Sequence, residues 1–364
     1  MAKVTSDERV LDLRPDHIKE KLGSQSKVCL LNSHHIFEVL REEKVIVMAC
    51  NARIKHVIPG IMRAAEKLDA VVAFELAKSE GGVDGGYTGQ TPQIFFETIV
   101  EYAERLNFSK PFFIHADHLT VKDTSQGAFD SAKELIQAEL EAGYTSFAID
   151  ASFNHIPDNT DITIKLAQPI VEHGLGLEVE VGEIKHTGAD GTITTVEEAT
   201  TFISGLAKGK VYPDLLAINN GSKHGNYLEG EKVFIDLDRT KEIYDEIKNR
   251  GICIAQHGIT GTPIHLVGKF ADYGIRKGNV GTEWQNIAYE FIPKDLMDQM
   301  KKWAESNKKD IKFTTREFKK EIDSIPEKNA RQIEERSYQT ASEFIQAFRA
   351  KNLASLVKKK LLER

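Results

Sequence analysis

The run PFFIHADHLTV, residues 111–121, begins as a buried strand and then presents His115, Asp117 and His118. An imidazole or a carboxylate carried into a core is expensive unless it finds a partner, so the run must end at something polar. Other apolar runs end the same way: LGLEVEVG carries Glu178 and Glu180, NNGSKHG carries His224, and GICIAQH ends at His257. Histidines delivered from separate strand ends suit a zinc ion, because neutral imidazole is a good ligand and three protein ligands leave a position for substrate. His118, His224 and His257 are the candidate ligands; the alternative for each is an ordinary capped or surface histidine. Strand alternation puts His115 and Asp117 on one face and His118 on the other, so Asp117 and His118 can serve one site only if the strand ends or bulges there. Glu178 and Glu180 share a face, and at least one is expected to point inward; the alternative to a functional role is a buried salt bridge with Lys or Arg.

These residues need a scaffold that gathers strand ends. Short apolar runs at 44–50, 70–77, 111–117, 145–150, 175–182, 214–220, 251–257 and 274–281 alternate with amphipathic stretches at 91–106, 129–143, 195–209 and 236–251. Eight βα repeats over roughly 240 residues predict a TIM (β/α)8 barrel, whose active site lies at the C-terminal ends of the strands. A doubly wound open sheet is the weaker alternative, since neither GxGxxG after an early strand nor a Walker A sequence occurs. The expected organisation is an N-terminal segment over 1–40, the barrel over 41–290 and a helical extension over 291–364, with a helix expected across 342–363. The segments QHGITGTP (256–263) and KGNVGTEW (277–284) follow strands seven and eight, where barrels often hold phosphate on backbone N–H groups.

Composition narrows the class. The chain has 364 residues, 41% hydrophobic and 28% charged, with a formal net charge of −7. That balance argues against a general nucleic-acid surface. Cys29, Cys50 and Cys253 are widely spaced, which predicts neither a disulfide framework nor a cysteine zinc site and fits a reducing cytoplasm. The start MAKVTSDERVLDLRPDHIKEKLG has no apolar h-region, and no apolar run reaches membrane-spanning length, so neither export nor membrane insertion is expected.

With these residues placed, the chain resembles the class II, zinc-dependent fructose-bisphosphate aldolases. HADH matches the family's H-x-D-H, EVEVG its E-[IVA]-E-[LV]-G, KHGNY its x-H-G-x-Y, QHGITG its H-G-G-S-G and GNVGTE its N-I-D-T-D, in that order along the barrel. The resemblance implies that His118, His224 and His257 bind Zn2+, that Asp117 is the catalytic acid/base and that Glu180 belongs to the metal environment. It further implies that Asn51 and Asn279 contact a ketose phosphate substrate. Gly225, Gly258, Gly261, Thr262 and Thr282 are the expected substrate and phosphate contacts, with Arg331 or Arg336 reaching from a neighbouring subunit of a homodimer or higher homo-oligomer. A monovalent cation beside the zinc is left open.

The departures fall on substrate contacts. Ala189 stands where the family's mobile loop has a glutamate for proton transfer, so Glu183, His186 or Asp190 must substitute, with Glu183 favoured. Gly281 replaces the first aspartate of N-I-D-T-D, and Leu228 a lysine. The expected activity is cleavage of fructose 1,6-bisphosphate in glycolysis and gluconeogenesis. Tagatose 1,6-bisphosphate or a sulfonated ketose phosphate is the alternative within the class. A metal-dependent hydrolase is disfavoured because the strand-one H-x-H of that pattern is missing, and a non-catalytic sugar-phosphate binder would have no use for both the histidines and Asp117.

Overall fold

Eight apolar segments pair in parallel, each with its successor, and the last closes on the first. They are β1 (Val47–Asn51), β2 (Val72–Ala77), β3 (Phe112–Thr120), β4 (Ser146–Asp150), β5 (Gly176–Val181), β6 (Leu215–Ile218), β7 (Cys253–Gln256) and β8 (Ile275–Val280). All eight expected strands are present in this computed structural model, which describes residues 6–182, 193–223, 225–226, 231 and 233–364. The strands are covered outside by helices and filled inside by side chains, so nearly every strand position is buried. No helix among the described residues is long and apolar enough to cross a membrane.

Local chemistry starts the outer helices where the sequence places them. Thr91, Ser125, Thr195 and Asp236 accept from the backbone N–H three residues on, opening the helices Pro92–Arg105, Gln126–Ala142, Val196–Lys208 and Leu237–Ile247. Each satisfies an N–H that the first helical turn leaves unpaired. Thr195 and Glu198 complete a capping box.

The segment before β1 closes the N-terminal end of the barrel. Leu30 bridges to Phe112, and Asn32 accepts from Gly176 N–H at 3.0 Å while donating to Gly174 O at 2.7 Å. The helix Ser33–Leu40 then lies so close to β5 that a Cβ on Gly176 would sit 1.8 Å from Ser33 Oγ. Beyond β8, the helix Glu327–Ala347 packs on the helix Ile58–Leu68, where a Cβ on Gly60 would fall 2.2 Å from the Glu334 carbonyl oxygen. The single helix expected over 342–363 is broken. Arg349 and Asn352 have φ of 57° and 64°, the Phe348 carbonyl accepts from Ile46 N–H, and a second helix starts at Leu353. Left-handed residues cannot continue a right-handed helix, so the chain turns there, and Asn352 and Ala354 N–H donate to the Leu68 and Asp69 carbonyls. The three cysteines are buried.

Candidate functional site

β3 decides whether Asp117 and His118 share a site. Its pairing with β4 runs regularly through Ala116↔Phe147 and resumes at Leu119↔Ile149, leaving Asp117 and His118 in a bulge. His118 takes a φ of 43°, a left-handed conformation that histidine tolerates better than most residues. The extra residue resets the alternation, so neighbours that a regular strand would send to opposite faces both meet groups at the barrel mouth. The strand also runs to Thr120, three residues past its expected end.

His118 and His257 face each other with His257 Nδ1 2.8 Å from His118 Nε2. The opposite nitrogen of each ring rests on buried carboxylates. His257 Nε2 lies 2.8 Å from Glu178 Oε1, and His118 Nδ1 lies 2.8 Å from Glu180 Oε1 and 3.4 Å from Asp150 Oδ2. Imidazoles whose outer nitrogens are held by carboxylates while their inner nitrogens converge are arranged as metal ligands usually are. Asp117 completes the cluster: one ligand atom from each of Asp117, His118 and His257 lies within 4.8 Å of the others. The donor set of nitrogens backed by carboxylates therefore fits a divalent cation. Glu180 meets the nitrogen of His118 turned away from His257, so in this arrangement it braces the ring. His224 and Glu183 lie outside the described residues, as do His186 and Asp190.

The electrostatics are those of a buried polar core. Burial opposes protonation of His118, but the Glu180 and Asp117 carboxylates pull its pKa well above the ordinary histidine value. Burial and then Asp150 push Glu180 up to about 8. The His118–Glu180 pair thus retains a proton to unusually high pH, which a bound cation would displace. Burial and the neighbouring His118 lower His257. Asp117 is held below the usual carboxylate range: burial opposes its charge, but His118, Lys277 and His257 outweigh it. Asn51 Nδ2 donates to Asp117 Oδ2 at 2.9 Å and Asn279 Nδ2 to Oδ1 at 3.0 Å, fixing the carboxylate between the ends of β1 and β8.

Beneath this layer lies a second one that the sequence reading did not assign. Lys277, from β8, is fully buried; its ammonium lies 2.9 Å from Glu178 Oε2, donates to Asn279 Oδ1 at 2.9 Å and sits 3.3 Å from Glu75 Oε2, off the hydrogen-bond direction. The inward salt bridge considered for the β5 glutamates is therefore made by Glu178. His115 sits beside it, its Nδ1 2.7 Å from Ser146 Oγ, which in turn accepts from Ser33 Oγ on the floor helix. Burial and Lys277 hold His115 down to about 3, so it is a neutral ring. Lys277 and Asn279 are two apart on one strand, and that spacing is the sequence signal that places them on one face.

The glycine-bearing loops flank the mouth. Gly258 and Gly261 have φ of 67° and 81°, and a Cβ on Gly258 would meet the Lys223 carbonyl oxygen at 2.5 Å, so close backbone approach requires glycine there. Gly225 also has a positive φ, 89°. Thr262 is buried, its Oγ1 meeting no partner among the described residues, and Thr282 opens the helix Thr282–Phe291, in which Glu283 N–H donates to Thr260 Oγ1. Arg331 lies apart from these groups on the exposed face of Glu327–Ala347, paired with Glu327 at 2.5 Å.

Comparison with known proteins agrees with this geometry. The family model described as fructose-bisphosphate aldolase class-II matches residues 31–352. A fructose-bisphosphate aldolase of Streptococcus pneumoniae is 27% identical over 303 residues, covering 80% of this chain and 92% of that protein. One from Staphylococcus epidermidis is 30% identical over 241 residues, covering 61% of this chain and 77% of that protein. Among solved structures, the YdjI aldolase of Escherichia coli K12 superposes with a TM-score of 0.64 at 18% identity, covering 89% of this chain and 99% of the other, a likeness of fold. With the family model spanning the barrel from its floor segment to the C-terminal turn, this chain belongs to the class II fructose-bisphosphate aldolase family.

Proposed function

We propose that this chain is a zinc-dependent aldolase that reversibly cleaves fructose 1,6-bisphosphate to dihydroxyacetone phosphate and glyceraldehyde 3-phosphate. The observation that carries the reading is the pair His118 and His257, each braced by a carboxylate, beside an Asp117 held by two asparagines. His118 and His257, with His224 as the third ligand, would hold Zn2+, which when bound supplies a Lewis acid for the negative charge that develops on the ketone half. Asp117 takes the C4 hydroxyl proton in cleavage and returns it in condensation. Asn51 and Asn279 fix the direction of its free lone pairs. The loop that begins at Glu183 supplies the base for the nucleophilic carbon, with Glu183 itself favoured.

A Schiff-base route needs a neutral amine, and Lys277, fully buried inside the barrel, does not offer one: although burial disfavours its charge, Glu178 and Glu75 hold its pKa above the ordinary lysine value. The chain is expected to work as a homodimer or higher homo-oligomer in the cytoplasm, with Arg331 reaching a neighbour's substrate. The test is a coupled cleavage assay on Zn2+-loaded and chelated protein with fructose and tagatose 1,6-bisphosphates. Loss on chelation and return with Zn2+ are expected. Full turnover in verified metal-free protein, or trapping of a substrate adduct by borohydride, overturns the assignment.

A further inference from the structure

The floor of the barrel, away from the reaction, carries a second convergence of metal-binding side chains. The helix Ser33–Leu40 buries Ile36, Phe37, Val39 and Leu40 in the core and leaves His34, His35 and Glu38 outside it. Glu38 stands four residues after His34 and three after His35, the two spacings that bring side chains together on a helix surface. A ligand atom from each of the three lies within 4.8 Å of the others.

The cluster is anchored from below. Asn32 Oδ1 accepts from both His34 N–H and Gly176 N–H at 3.0 Å, which fixes the first turn of the helix to the start of β5. Asp214, buried just before β6, accepts from Leu177 N–H through Oδ2 and meets His34 Nδ1 through Oδ1 at 2.8 Å. That contact leaves His34 Nε2 for an ion, the arrangement in which a carboxylate sets the tautomer and direction of a ligating histidine. Arg364 donates to Glu38 Oε2, so Oε1 is the oxygen left to ligate.

We propose that His34, His35 and Glu38 form a site for a zinc-type divalent cation on the barrel floor, with Asp214 positioning His34. Two imidazoles and one carboxylate suit such an ion, whereas Mg2+ and Ca2+ take oxygen ligands. Bound there, it would tie together the first two turns of the helix whose Ser33 holds Ser146 and, through it, His115. Asp214 and Gly176 mark the N-terminal ends of their strands, opposite the mouth where His118, His257 and Asp117 gather, so the site stands or falls apart from the aldolase reading.

The test is calorimetric titration of chelator-stripped full-length protein with Zn2+, with elemental analysis after dialysis. His118→Ala/His257→Ala removes the ligands at the barrel mouth and should still bind one equivalent of Zn2+; adding His35→Gln/Glu38→Gln should abolish that binding. In the same background Asp214→Asn should weaken it roughly 10–100-fold, and excess Mg2+ should not compete. Zn2+ should raise the Tm of the mouth variant and leave that of the fourfold variant unchanged, because the ion binds only the folded cluster. No Zn2+ on the mouth variant, equal affinity in the fourfold variant, or displacement by Mg2+ overturns the site. If the fourfold variant does not fold, His35→Gln alone in the mouth variant decides: a loss of about tenfold or more supports the site, and unchanged affinity sinks it.

Discussion

Replacing Lys277 by Met tests how the barrel tolerates its charged interior. The ammonium is fully buried between Glu178 and Glu75, and Met keeps a similar shape while removing the charge. The two carboxyls respond differently. Burial and then Asp117 raise Glu75 well above the usual range, whereas Lys277 is the strongest of the charges that hold Glu178 ionised against its burial. The orphan left by Lys277→Met is therefore Glu178. Removing one partner of a buried pair costs roughly 3–5 kcal/mol. With about 2 cal/mol/K of unfolding entropy per residue, a chain of 364 residues loses about 1.3 °C of Tm per kcal/mol, a fall of about 4–7 °C. Thermal unfolding followed by circular dichroism, in chelator at pH 7 so that metal binding adds nothing, reads the fall. Adding Glu178→Gln to the variant should recover part of it, and adding Glu75→Gln should recover little. A Tm within about 1 °C of wild type, or equal recovery by both second substitutions, refutes the assignment of charge.

Asp117→Asn keeps the bond from one asparagine but cannot accept a proton; kcat should fall roughly 10²–10⁴-fold with metal content unchanged, and metal loss without a separate catalytic defect would make the residue structural. His34 has its pKa raised, first by its hydrogen bond to Asp214 at 2.8 Å. Its contribution to stability is therefore complete below the unfolded histidine pKa and fades as pH rises through the higher folded value. His34→Gln should thus destabilise at pH 5.5 more than at pH 9 in urea titrations, and an equal loss at both contradicts the linkage. Gly60→Ala forces the helix Glu327–Ala347 away from Ile58–Leu68 and should cost roughly 1–3 kcal/mol in urea unfolding; an unchanged midpoint would mean that the two helices separate without cost.

The barrel was legible because each strand is a short apolar run between amphipathic helices with side-chain caps, and both signals are local. The ends were less so. Strand three was expected to stop at Asp117, yet it continues to Thr120, because a bulge absorbs the polar pair without ending the pairing. The sequence posed that alternative without deciding it, since a bulge depends on the neighbouring strand's register. The helix expected over 342–363 shows the opposite failure: apolar periodicity continues through Phe348 and Leu353, but the Phe348 carbonyl is captured by Ile46, some three hundred positions away, and the chain turns. No local pattern contains that partner.

The same distinction separates the candidate site residues that the sequence offered from those it withheld. His118, His257 and Asp117 announce themselves as polar groups ending apolar runs. Lys277, Glu75, Arg53 and Glu80 do not, because each is defined by what it faces, and what it faces is set by closure. Lys277 on β8 meets Glu178 on β5, and these strands are not neighbours in the sheet; only a closed barrel brings them across its axis to 2.9 Å. Arg53, just past β1, is held by Glu80 from the short helix Lys78–Gly81 after β2 and by Gln285 from the helix after β8, partners that no local pattern contains. Charge in a barrel interior is thus a property of the ring of strands. The individual strand supplies only its alternation, which fixes the face on which a charge stands and leaves its partner to the topology.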